Sequence, residues 1–191
     1  MIAGALPASS YPEPGRRGAR RGFAGCVPWS VPGLALLASA SAVAQPAPGE
    51  LALPVRPACV SSPFGERGMG AGGPRASRLH QGIDLPAAAG AWVRAAAAGR
   101  VVGIRRRGAA GLEVDLRHPG GFTTRYAHLG TVAPALASGK RALVQGEVLG
   151  RVGRTGITYG THLHFELLVE GIRVDPAPYL RVAPCEGRGS R

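Results

Sequence analysis

His162-Leu163-His164-Phe165-Glu166-Leu167 alternates polar and apolar side chains over six positions, the period of a half-buried β-strand. In a strand, residues i, i+2 and i+4 point to one face. His162, His164 and Glu166 therefore share a face, while Leu163, Phe165 and Leu167 pack behind it. Two imidazoles and a carboxylate on one sheet face are costly to bury without a partner. A divalent metal ion is one such partner.

Outward from this stretch the same pattern recurs in short pieces. Residues 92–95, 99–105, 112–117, 123–128 and 147–152 read as further strands, with 162–169 completing the set. Pro119-Gly120-Gly121, Gly108-Ala109-Ala110-Gly111 and the glycines from 153 to 160 separate them. Residues 132–139 can hold one helical turn, and no repeat is visible. The expectation is an all-β or strongly β-dominated fold, a single compact antiparallel-sheet domain. With 30 Gly and 17 Pro in 191 residues, a coiled coil, a helical solenoid and a polytopic membrane protein are excluded. The apolar fraction of 45% suffices for a core, which aromatics, at 5%, cannot dominate.

The N-terminal region sets the compartment. Arg16, Arg17, Arg20 and Arg21 precede an apolar run from Phe23 to Ala44 that ends in Ala42-Val43-Ala44. Small residues at −3 and −1 fit signal-peptidase cleavage, so 1–44 reads as a secretory signal peptide. Pro28, Pro32 and the shortness of the most apolar stretch argue against a permanent membrane anchor. Cys26 precedes the apolar stretch, so lipidation is rejected. The expected location is the periplasm, or the cell wall and extracellular space. Removal of 1–44 takes away those four arginines and Glu13, lowering the formal charge from +12 to +9. Such a surface attracts polyanions, and export directs that reading away from nucleic acid. Arg105-Arg106-Arg107 reads as a solvated strand end. Residues 45–58 read as an extended leader, 59–185 as the domain and 186–191 as a disordered tail.

Export also leaves two cysteines, Cys59 and Cys185, in an oxidising compartment. They flank the motif-bearing segment, and domain ends often lie close together, so a disulfide between them is expected.

His80-Gln81-Gly82-Ile83-Asp84 supplies another imidazole and carboxylate, with Gly82 permitting a bend. Together with a histidine of the 162–164 strand they make three N/O ligands, the pattern of a catalytic zinc site with an open fourth position. Tyr126-Ala127-His128 repeats the i, i+2 logic and aims Tyr126 and His128 at one face.

The ordered set HQGIDL at 80–85, RYAHL at 125–129 and GRTGITYGTHLHFEL at 153–167 resembles the lysostaphin/LytM-type zinc metallopeptidases. Lesser echoes are SSPFGER at 61–67 and DPAPYL at 175–180, so the similarity covers about residues 60–180. The resemblance implies a zinc cleft framed by long loops, with His80, Asp84 and His164 as ligands and His128 and His162 as the catalytic pair. Glu166 is a candidate to orient an imidazole, and Tyr126 a candidate oxyanion donor. His118 matches no catalytic position. Thr161, Ile157-Thr158-Tyr159 and Leu112-Glu113 depart from the usual pattern, which puts substrate preference in doubt and leaves the ligand positions filled.

The function implied is a secreted zinc metalloendopeptidase acting on peptidoglycan. A catalytically inactive wall-binding or amidase-activating module is the alternative, and a carboxypeptidase or amidase on the same material a third reading. Peptidoglycan is the expected partner, with a regulatory envelope protein as a further candidate.

Overall fold

Short aliphatic runs between glycine and proline turns build a strand-dominated fold in the computed structural model, which describes residues 46–47, 50–68, 73 and 77–186. The segment 1–44 and residues 187–191 of the tail lie outside the described residues. The strands are β1 (Gly65–Glu66), β2 (Leu79–His80), β3 (Ile83–Pro86), β4 (Trp92–Arg94), β5 (Gly99–Arg107), β6 (Gly111–Arg117), β7 (Phe122–Val132), β8 (Ala142–Leu143), β9 (Val148–Val152), β10 (His162–Val169) and β11 (Ile172–Val174). A 3-10 turn, Gly108–Ala110, joins β5 to β6. The two helices among the described residues, α1 (Pro134–Ala137) and α2 (Ala177–Leu180), are single turns with proline in the first turn, where its missing N–H costs nothing. No helix among the described residues is long and apolar enough to cross a membrane.

One antiparallel sheet runs β11-β10-β7-β6-β5-β8. β3 pairs with the first half of β10 and β11 with its last three residues, while β7 lies along its other edge. β7 is long enough to serve two sets of neighbours. Up to Ala127 it pairs with β10, and from Leu129 onward with β9, which in turn pairs with β4. The handover falls at His128, whose φ of 60° lies in the left-handed region. β1 and β2 form a separate two-stranded ribbon.

The core lies behind β10, where Leu163, Phe165 and Leu167 are fully buried among Ile83, Leu85, Leu116 and Tyr126. Residues 50–58 pack against the domain and supply Leu51 and Val55 to this core. Their backbone bonds to Ala96, Arg94 and Tyr179 fix them there.

The opposite face of the sheet carries charge. Arg105 pairs with Glu113 and Asp115, Arg107 with Glu113, and Arg125 with Asp115 and Glu166. The 105–107 triplet is therefore not simply a solvated strand end: two of its arginines neutralise carboxylates that are themselves buried. An unpaired carboxylate in that setting would be strongly destabilising.

Cys59 and Cys185 are joined by a disulfide, with Cα atoms 4.8 Å apart across 126 positions. A parallel bridge between Val60 and Pro184 lies beside it. In the chain-entropy model a loop of this size constrains the unfolded state by up to about 5 kcal/mol, and observed gains are usually smaller. Reduction is therefore expected to lower the melting temperature by roughly 5–15 °C. Metal binding and initial activity, measured well below that temperature, are expected to persist. Unchanged melting on reduction, followed by calorimetry, would discount the clamp.

Candidate functional site

The site begins with the β3–β10 register, which makes Asp84 and His164 direct cross-strand partners on the same face. His80 reaches them from β2 because Gln81-Gly82 carries the chain tightly across β10. A Cβ at Gly82 would lie 2.3 Å from the Phe165 carbonyl oxygen, so only glycine fits. Ser61 and Ser62 fix the Asp84 backbone on its other edge through two N–H···O=C bonds of 3.0 Å each.

Three donor atoms then converge. His80 Nε2 lies 3.1 Å from Asp84 Oδ1 and 3.1 Å from His164 Nδ1, and Asp84 Oδ1 lies 2.9 Å from His164 Nδ1. Two bonds of 2.0–2.1 Å at a tetrahedral angle hold their ligand atoms about 3.3–3.4 Å apart, so this triangle is close to the size that such an ion requires.

The far side of each donor is occupied. His80 Nδ1–H donates to the Pro63 carbonyl at 2.7 Å, which leaves Nε2 as the lone-pair nitrogen. His164 Nε2 lies 3.3 Å from Glu166 Oε1, and a proton there leaves the Nδ1 lone pair facing inward. Arg67 Nη2 takes Asp84 Oδ2 at 3.1 Å, so Oδ1 alone faces the triangle. Lone pairs from two neutral imidazoles and a carboxylate repel one another unless a cation lies between them. The donor set thus fits a divalent metal. For the side chains alone, burial pushes His164 down, but hydrogen bonds to Asp84 and Glu166 outweigh it and hold its pKa at about 9. Asp84 lies below the ordinary carboxylate range: burial pushes it up, and the His164 and His80 hydrogen bonds overcome that.

Two more imidazoles border the triangle. His128 Nδ1–H donates to the Thr155 carbonyl at 2.9 Å, and His162 Nδ1–H to that of Gly160 at 3.1 Å. Both keep Nε2 unprotonated, and His162 Nε2 lies 3.5 Å from Asp84 Oδ1. The two rings pack edge to face, 4.9 Å apart between centroids. Burial, together with its imidazole neighbours, lowers the His128 pKa to about 4 and also lowers that of His162, so both are neutral bases near pH 7.

The structure brings together His80, Asp84, His128, His162, His164 and Glu166 along one open cleft of about 760 Å³. It does not place Tyr126 among them, which corrects the expectation that Tyr126 and His128 share a face. The left-handed turn at His128 breaks the strand alternation, so His128 joins the face of Arg125 and Tyr126 points into the core. The Tyr126 hydroxyl accepts the Ala96 N–H at 2.8 Å and lies 2.9 Å from Thr124 Oγ1. Burial raises its pKa to about 12. It is no oxyanion donor in this cleft. His118, outside the site, is buried against Phe122 and donates to the Ala98 carbonyl.

Sequence reasoning missed Arg67 and Thr155. Thr155 is pinned on both sides, its hydroxyl accepting the Leu112 N–H and donating to the Leu129 carbonyl. Ile157 and Tyr159, half exposed on the cleft wall, occupy the loop where the sequence departs from the usual pattern.

The model of peptidase family M23 matches residues 78–176. The DD-carboxypeptidase/endopeptidase Mpg of Neisseria meningitidis serogroup B is 42% identical over 99 residues, which are 52% of this chain and 22% of that protein. The chain thus spans under a quarter of the length of that curated relative. A Pseudomonas aeruginosa chain solved as a candidate M23 peptidase superposes with a TM-score of 0.57 at 32% identity, covering 72% of this chain and 52% of its own. A zinc containing peptidase from Vibrio cholerae gives a TM-score of 0.56 at 25% identity, over 73% of this chain and 41% of its own.

Proposed function

Because the chain belongs to peptidase family M23, we propose that it is a secreted zinc metalloendopeptidase hydrolysing peptide bonds in peptidoglycan stem peptides or crosslinks. The observation that carries this reading is the donor triangle of His80, Asp84 and His164 with two neutral imidazoles beside it. Bound zinc supplies Lewis acidity that polarises the scissile carbonyl and makes water more acidic.

The chain's own residues do the rest. His80 Nε2, Asp84 Oδ1 and His164 Nδ1 would hold the ion, oriented by Pro63, Arg67 and Glu166. His128 and His162 handle protons. Each has its Nδ1 proton committed to a backbone carbonyl, so Nε2 is the atom that accepts a proton from the attacking water. The same atom, once protonated, donates to the leaving amine or to the developing oxyanion. The sequence holds no HExxH helix, so no glutamate base of that kind competes for the role.

Support for the substrate class comes from a further relative, the peptidoglycan DD-endopeptidase ShyC of Vibrio cholerae, 35% identical over 99 residues (52% of this chain, 22% of that protein). Support for zinc comes from the zinc containing peptidase of the same species. The Mpg name also favours a second reading, removal of a terminal D-residue. Digestion of purified muropeptides with the zinc-loaded protein, read by mass spectrometry, separates these. Conversion of crosslinked dimers to monomers is the expected result. Loss of one terminal residue from monomers without dimer cleavage would favour the carboxypeptidase. No product at full zinc occupancy would favour the inactive wall-binding module.

A further inference from the structure

The edge hairpin of β10 and β11 carries a residue, Arg173, whose ion-pair partner lies in the site. Its turn, Glu170-Gly171, has φ values of 52° and 79°, both left-handed, the backbone of a two-residue type I′ connection. That turn fixes the register in which Val169 faces Ile172 and Leu168 faces Arg173. Since Leu168, Glu166 and His164 share a face by strand alternation, Arg173 stands on the cleft face as well. A slip of one residue would turn it to the other side.

Arg173 Nε donates to Glu166 Oε2 at 2.8 Å. The second guanidinium near that oxygen, Arg125 Nη1, is at 3.4 Å and belongs to a side chain committed to Asp115 through Nε at 2.7 Å and Nη2 at 3.0 Å. Glu166 is buried, and its other oxygen faces His164 Nε2. A carboxylate held at Oε2 has one orientation left for Oε1, and that orientation keeps the His164 proton on Nε2.

We propose that Arg173 is a positioning residue: it anchors Glu166, which fixes the ring and tautomer of His164 so that Nδ1 points at the metal. The inference rests on His80, Asp84 and His164 being the ligands. It also makes a claim opposite in sign to simple electrostatics. Removing a positive charge near a cation site should tighten metal binding, whereas removing an anchor should weaken it. Loss of such outer partners typically costs about 10–100-fold in affinity.

The test is zinc affinity of the full-length protein, measured by competition with a chromogenic chelator. Arg173→Gln is expected to weaken zinc binding about tenfold or more. Arg173→Lys, which keeps the charge but meets Glu166 through an ammonium, is expected to fall between that variant and the parent. Arg107→Gln removes an exposed arginine paired with Glu113 at the far edge of the same charged face, and is expected to leave affinity unchanged. If either Arg173 variant that folds binds zinc at parental affinity or tighter, the proposal is overturned. It is overturned too if Arg107→Gln weakens binding as much as Arg173→Gln. His164→Ala in the same assay keeps the two readings apart: parental affinity there means the ligand assignment itself has failed.

Discussion

His164→Ala is expected to abolish both zinc retention and hydrolysis, and His80→Ala and Asp84→Ala to do the same. Each removes one corner of a triangle whose edges are 2.9–3.1 Å and leaves two of its three donors. Glu166 is the nearest spare carboxylate, but it is tied to Arg173 and to the outer side of the His164 ring. Partners of metal ligands are worth about 10–100-fold in affinity, so loss of a ligand should exceed roughly a thousandfold. Atomic absorption after desalting measures the metal, and muropeptide digestion the activity. Full zinc occupancy in the triple alanine variant would show that the ligands are misassigned.

The second large effect separates chemistry from metal binding. His128→Ala and His162→Ala are expected to keep zinc and to lose activity by about 10²–10³-fold, or roughly 3–4 kcal/mol of barrier. Both rings stand outside the donor triangle and have one nitrogen fixed by a backbone carbonyl. The loss should therefore appear in kcat, with zinc content unchanged. A variant that turns over a wall substrate within twofold of the parent would remove that residue from the proposed pair.

What the sequence made legible follows from the range of its signals. The alternation in 162–167 is local, and it correctly sorts His162, His164 and Glu166 onto the cleft face and Leu163, Phe165 and Leu167 into the core. Strand β10 has the bounds expected for it, and α1 falls within the stretch assigned one helical turn. β1, β2 and β8 have two residues each, too few to show any period, and only pairing defines them. Tyr126 was misplaced because period 2 assumes an unbroken strand, and nothing in RYAHL announces a left-handed φ at a histidine. Arg67, Arg125 and Arg173 are invisible for a different reason. Their partners lie 17, 41 and 7 positions away, and the contacts exist only once register and turns are set. Leu51 and Val55 read as leader because a proline-rich stretch carries no alternation, yet two apolar side chains were enough to draw it into the core.

The bond between Cys59 and Cys185 has a consequence in time. A chain is made from its N-terminus, so Cys59 emerges first and must wait for 126 further residues before its partner exists, roughly 6–25 s at ordinary synthesis rates. No cysteine lies between them, so nothing downstream can capture Cys59 during that wait. The one competitor is upstream: Cys26, inside the segment read as a signal, is already present when Cys59 appears. A precursor that kept residues 1–44 would offer Cys59 a nearer and earlier partner than the native one. If residues 1–44 are removed as the sequence suggests, Cys26 leaves with them, and Cys185 is the one remaining cysteine in this sequence for Cys59 to meet.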